Sequence, residues 1–216
     1  MDILHAFSAD NMRFVLEGFY MTLKVAAISI VLSFIVGVVV GTIRYTKLMV
    51  VSPILAIVVE LIRNLPLLLI IFFARFALPD IGIKFGAMQA TIFALTIFEG
   101  AMIAEIVRSG LNSIDKGQIE AARSSGLGSV QTLWHIVLPQ GLRRMVPPLV
   151  SQFISLLKDT SLAIVISLPE LMHHAKIVIG QNYNYTLPIL CLVALMYFTV
   201  NYALSLAARR MESRMG

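Results

Sequence analysis

Residues 19–43 read FYMTLKVAAISIVLSFIVGVVVGTI, an apolar run from Phe19 to Ile43 with one charged side chain, Lys24. A helix of about 20 such residues matches the ~30 Å hydrocarbon core of a bilayer, where every backbone N–H and C=O must be satisfied within the segment. The run therefore specifies a membrane-spanning α-helix. Four more runs meet the same test: Val50–Ala77, Met88–Val107, Met145–Ser167 and Tyr185–Ala208. The last two are long enough that tilting or continuation into water is expected. The fold class is all-α, a polytopic membrane protein with five transmembrane helices.

Composition agrees. Of 216 residues, 58% are hydrophobic and only 13% charged, with mean hydropathy +0.87, a balance foreign to soluble domains. The net charge of +5 does not mark a nucleic-acid surface, because Lys and Arg sit at the ends of apolar runs and form no basic, aromatic-interleaved patch. Cys191 is the single cysteine and lies inside an apolar run, which excludes a disulfide framework or a cysteine zinc knuckle within one chain. The N-terminus has neither a basic region nor a small-residue cleavage site, so the first run reads as retained.

Orientation follows from the cations, which are held on the cytoplasmic side during insertion. Arg44 and Lys47 follow the first run. Arg108, Lys116, Arg123, Arg143 and Arg144 occupy the segment between the third and fourth, and Arg209, Arg210 and Arg214 close the chain. These ends are expected inside. The opposite ends carry fewer: Arg13, Lys24, Arg75, Lys84 and Lys176. The division is then an extracytoplasmic segment 1–18 with the N-terminus outside, a membrane domain 19–211 with a cytoplasmic loop at about 112–140, and a cytoplasmic tail 212–216.

That loop is long for a compact membrane protein, and such loops carry function. Its punctuation predicts two short helices. Asp115 caps the first, with Gln118 three residues on as in a capping box, and Gly126 supplies a left-handed end. Ser129 is positioned to cap the second, which should stop near Pro139, whose ring cannot continue an interior hydrogen-bond ladder.

Within the loop, Glu120-Ala121-Ala122 is followed by Gly126 and, after nine intervening residues, by Ile136-Val137-Leu138-Pro139. The pattern E-A-A-x3-G-x9-I-x-L-P resembles the EAA loop of ABC importer permeases and matches it at every defining position. Two adjacent alanines let another protein approach the helix backbone, Glu120 offers a carboxylate, and Gly126 permits the sharp turn. The alternative, an ordinary solvated loop, does not account for motif and spacing together. Glu60-Leu61-Ile62-Arg63-Asn64-Leu65-Pro66, Glu105-Ile106-Val107-Arg108-Ser109-Gly110, Asp115-Lys116-Gly117-Gln118 and Leu157-Lys158-Asp159-Thr160-Ser161-Leu162 extend the resemblance to the polar amino acid subfamily of histidine, glutamate, glutamine and arginine permeases. By general likeness the chain is most similar to the glutamine type. Asn64 departs from the small residue many relatives carry there.

The resemblance implies the type I ABC importer permease fold in a bacterial inner membrane. It also implies a dimer with an identical or homologous permease chain, two cytoplasmic ABC ATPase subunits and an extracytoplasmic amino-acid-binding protein. No G-x4-G-K-[ST] phosphate cradle occurs, so the chain is expected not to be an enzyme, and ATP and Mg are expected on the partner ATPase. Glu120, Ala121, Ala122, Gly126, Ile136, Leu138 and Pro139 are then the ATPase-coupling residues.

Ionisable groups at bilayer depth pair with each other or face a water-filled path. Glu60 and Arg63, three residues apart, share a helix face, and an internal ion pair and substrate contact are both consistent with that spacing. Glu99 has no local cation, and Lys158 and Asp159 point about 100° apart on a helix, so each needs a partner from elsewhere. Lys158 with Asp159 or Glu99 offers both charges a zwitterionic amino acid requires, with Thr160 and Ser161 as nearby donors; helix locking or gating is the competing role. His173 and His174 read as a solvated outer loop without metal, Trp134 as an anchor of the second loop helix at the membrane or the ATPase, and Gly37-x-x-x-Gly41 as a pattern that permits close helix crossing yet arises often by chance. Two other functions are weighed: an ion-gradient-driven secondary amino acid transporter, which leaves the EAA loop unexplained, and a scaffold without transport.

Overall fold

The computed structural model describes the backbone of residues 3–215 and the side chains of residues 5–210. Arg214 and the tail 212–216 therefore have no described side chains. Among the described residues all regular structure is helical. After a short turn at Ile3–Ala6 come α1 (Ala9–Thr46), α2 (Val51–Arg63), α3 (Leu67–Phe72), α4 (Ala87–Asn112), α5 (Lys116–Ser124), α6 (Ser129–Thr132), α7 (Leu138–Asp159), α8 (Leu171–Gln181) and α9 (Thr186–Met215). Four stretches are long and apolar enough to cross a membrane: Ala9–Thr46, Ala87–Asn112, Ser129–Ile166 and Tyr183–Arg210. The bent pair Val51–Arg63 and Leu67–Ile81, taken as one span, makes five.

The expected second span, Val50–Ala77, is thus not one helix: its halves meet at 100°. Pro66 is the cause. It has φ −62° and ψ 130°, lacks an N–H to continue the ladder, and pushes the residue before it out of helical conformation. The second half then runs through a π turn at Phe73–Ala77 and a 3-10 turn at Leu78–Ile81, ending at Gly82 with φ +88°.

The helix expected to stop at Pro139 does not stop. A π turn spans Leu133–Val137, and the Leu138 N–H donates to the Leu133 carbonyl, five residues back. That wider turn places Pro139 at the start of the next ladder, where a missing N–H costs little, and the chain continues helically through Asp159. The loop helix and the fourth span are one rod.

Small residues set the packing of α1 on α4. A Cβ on Gly37 would stand 2.4 Å from Ile103 Cγ2, and one on Gly41 2.6 Å from the Ala104 carbonyl oxygen. The Gly37-x-x-x-Gly41 pattern is a working helix crossing here, not a chance match. Gly110 brings α4 equally close to α7, with Met145 Cγ 2.1 Å from where its Cβ would be. Exposed side chains on the outer faces, such as Ile54, Ile57, Leu195 and Phe198, are apolar, as lipid requires.

Candidate functional site

The loop helix α5 is defined at both ends. Asp115 caps it by accepting from the Gly117 N–H at 2.6 Å. At its far end Leu127 N–H donates to the Ala122 carbonyl (3.1 Å) and Gly126 N–H to that of Arg123 (3.0 Å), with Gly126 at φ +88°. This is a Schellman motif. Two details differ from the sequence expectation. Gln118 does not close a capping box; its Oε1 accepts from Gln140 Nε2 at 2.5 Å, tying α5 to the rod. Gly128, rather than Ser129, caps α6, its N–H donating to Gln131 Oε1 at 2.9 Å, while the Ser129 hydroxyl accepts from Arg123.

Buried apolar residues fix the loop to the membrane helices: Ile114 and Val137 pack with Val107 and Leu111 of α4 and Met145 and Leu149 of α7. Ile136 and Leu138 are half-buried at this seam and Pro139 is exposed. The Arg144 guanidinium reaches the Ser113 carbonyl across the junction. Such packing joins the loop, as an arm, to α4 and α7.

The motif's residues divide by face. Ala122 is buried, 7% exposed, so its small size serves the chain's own packing, contrary to the expectation that both alanines meet another protein. Glu120, Ala121 and Gly126 are exposed, and Val130 and Trp134 add an apolar surface at 68% and 62% exposure. A cleft of about 360 Å³ beside them is lined by Tyr45, Ile119, Arg123, Val130 and Leu133. This face offers a carboxylate, a bare backbone and apolar side chains to a docking surface.

A charge cluster lies where α4 meets the loop, and sequence reasoning missed its centre. Glu105 Oε2 accepts from Arg44 Nη1 at 2.8 Å, lies 3.8 Å from Arg63 Nη1, and the Glu105 carboxylate also pairs with Arg108. Arg63 pairs in addition with Glu60 at 3.7 Å, and Asn64 Nδ2 donates to Glu60 Oε1 at 3.1 Å. Glu60 and Arg63 therefore belong to an ionic joint that holds the end of broken α2 to α1 and α4. Glu105 stands 61 residues from Arg44; its pairing with Arg108 was legible at i, i+3, but that with Arg44 was not.

About 9 Å along α4 from Glu105, at ~1.5 Å per residue, sits Glu99. It is fully buried by its own chain, Oε2 accepts from Gln152 Nε2 at 2.6 Å, and Oε1 has no partner. Asp159 adjoins it. Lys158 is exposed and Asp159 half-buried. Thr160 and Ser161 donate to the carbonyls of Leu157 and Lys158, both at 2.7 Å, so their hydroxyls satisfy their own helix. The structure brings Glu99 and Asp159 together, with Lys158 the exposed chain neighbour of Asp159, and leaves Glu60 and Arg63 in the ionic joint.

At the other end of α1, a buried acid caps α8. Glu170 is fully enclosed, accepts from the N–H groups of Met172 (2.9 Å) and His173 (2.8 Å), and neighbours Thr22, whose Oγ1 accepts from Leu171 N–H at 3.1 Å. Thr22 is about 33 Å along α1 from Arg44, one hydrocarbon thickness. Burial raises the Glu170 carboxyl from 4.5 to about 7, partly offset by the two amides. The histidines are not in a solvated loop. Both lie on α8, and His174 stacks on Phe14 with centroids 3.9 Å apart and its Nδ1 2.6 Å from the Phe14 carbonyl oxygen.

With this geometry in view, the comparisons with known proteins are consistent from end to end. Residues 33–216 match the family described as binding-protein-dependent transport system inner membrane component. The chain is 64% identical to a probable glutamine ABC transporter permease of Bacillus subtilis (strain 168), covering 99% of each chain. It is 39% identical to a second probable glutamine ABC transporter permease of that organism, covering 95% of each. Its structure superposes on the crystal structure of an amino acid ABC transporter with histidines at a TM-score of 0.88, with 27% identity and 94% of each chain covered. The ion-gradient-driven reading has no support among these relatives. An all-helical chain of this span pattern, with the EAA loop seated on its α4–α7 seam, belongs to the family of binding-protein-dependent transport system inner membrane components.

Proposed function

We propose that this chain is the permease subunit of an ABC importer in a bacterial inner membrane, and that it carries a polar amino acid, glutamine before the others. The observation that carries the reading is the exposed face of Glu120, Ala121 and Gly126 on an arm packed into α4 and α7. The two relatives above, named for glutamine, support the substrate. Two cytoplasmic ATPase subunits bind ATP with its Mg and dock on that face, one per permease of a dimer, while an extracytoplasmic binding protein delivers the amino acid.

When the ATPases close on ATP they draw the two arms together. Because α5 and the α6–α7 rod are fixed to α4, the movement tilts whole helices, and the ionic joint at Glu105 carries α2 with them. The differential energy comes from the ATPase dimer, as any shift between two states requires. Asp159 and Lys158 meet the ammonium and carboxylate of the substrate, and Glu99 stands behind Asp159.

Reconstitution with the co-purifying ATPase and binding protein tests this: glutamine stimulates ATP hydrolysis several-fold above the binding protein alone. Stimulation by another amino acid and not by glutamine would correct the substrate. No stimulation by any amino acid would sink the reading.

A further inference from the structure

We infer that the cleft at the α1–α2 turn binds the phosphate headgroup of an anionic phospholipid. The cleft, about 370 Å³, is lined by Arg44, Lys47, Leu48, Ser52, Pro53 and Arg108 among others, and no carboxylate belongs to its lining. The neighbouring carboxylates do not balance it. Arg44, Lys47, Arg63 and Arg108 are four cations against Glu60 and Glu105, leaving two positive charges in excess.

Arg44 supplies the second observation. Its side chain is 10% exposed, and while Nη1 pairs with Glu105, the buried Nε has no acceptor at all. That Nε is itself shielded from the cleft, but the Arg44 side chain lines it, and a phosphate is the anion this charge balance favours there. Lys and Arg residues that merely flank a span to fix its orientation stand in water, and nine-tenths of the Arg44 side chain does not.

The occupant is a lipid rather than free phosphate because of what borders the cleft. Leu48, Val50, Val51 and Ile54 are exposed and Met49 is 93% exposed. A headgroup in the cleft lays its acyl chains along that strip, a match a small soluble anion does not need. Arg108 lies in the last turns of α4, which lead directly into the EAA loop, so the site belongs to the headgroup layer on the loop's side.

The test is native mass spectrometry of the permease extracted from nanodiscs of phosphatidylglycerol or phosphatidylcholine. Wild type retains phosphatidylglycerol preferentially. Lys47→Gln, outside the Glu105 pairs, retains it about fivefold less with an unchanged melting temperature, as one cation lost at a membrane surface predicts. Lys176→Gln, at the opposite end, retains it fully. Equal retention of the two lipids, or no effect of Lys47→Gln, overturns the site. Displacement of the lipid by equimolar inorganic phosphate makes it a free-anion site and overturns the lipid assignment. Loss of the lipid when the ATPase binds, with Lys47 then shielded from an amine reagent, makes the cleft a protein contact and overturns it too.

Discussion

A Cβ placed on Gly41 stands 2.6 Å from the carbonyl oxygen of Ala104, so α1 and α4 touch backbone to backbone. A carbonyl in a helix ladder cannot turn aside as a side chain can. Gly41→Ala must part the helices, at about 1–3 kcal/mol as overpacking costs elsewhere. The melting midpoint in detergent falls accordingly. Gly180→Ala, where nothing lies within 4 Å, leaves the midpoint in place. Equal midpoints for the two variants would remove the crossing from the account.

Gly126 and Gly82 offer a cleaner comparison, because both hold φ +88° and a Cβ added to either would meet no atom within 4 Å. Alanine at either site therefore meets only backbone strain, about 1–2 kcal/mol in each case. Their places differ: Gly126 ends α5 on the exposed face of the arm, whereas Gly82 ends the stretch after α3. Gly126→Ala lowers substrate-stimulated ATP hydrolysis, and Gly82→Ala leaves the stimulation ratio unchanged at similar loss of stability. A matched effect on coupling would refute the arm's role.

The contrast between these elements shows what the sequence could tell. Apolar runs, the Asp115 cap and the Gly126 end were legible because each depends on residues within one or two turns of one another. The 100° bend was not, since hydropathy averaged over a window is blind to the ladder broken at Pro66. Nor was the uninterrupted rod through Pro139, because the proline rule assumes α geometry and the π turn at Leu133–Val137 escapes it. Glu105 and Glu170 were missed for a different reason. Their decisive surroundings lie far off in the chain, Arg44 being 61 positions from Glu105 and Thr22 149 from Leu171, the neighbour of Glu170, and only the packing of α1 brings them together.

Stability should depend on pH through Glu170. Its carboxyl is raised from 4.5 to about 7 because burial favours the neutral form. The folded chain thus binds more protons than the unfolded one between these values, and stability falls as pH rises from about 4.5 through about 7. His173 acts in the opposite sense, its burial and the charges of His174 and Lys176 depressing its value. Glu170→Gln isolates the first effect: wild type loses melting temperature between pH 5 and 8 relative to the variant. Parallel curves would show that Glu170 does not titrate in this window.

Asp159 and Glu99 are adjacent carboxylates with separable roles. Glu99 is enclosed, and its bond to Gln152 needs only an oxygen, which an amide also provides. Asp159 is half-buried beside exposed Lys158, and in the function proposed above this pair meets the ammonium and carboxylate of the substrate. A charged hydrogen bond of about 1.5–3 kcal/mol corresponds to a ten- to hundredfold change in affinity. Asp159→Asn therefore raises the KM of reconstituted uptake by that factor while melting temperature holds, because the amide keeps the volume. Glu99→Gln leaves KM within about twofold. If Glu99→Gln alone raised KM, the substrate path would run along α4 behind Gln152, and the assignment of Asp159 would be lost.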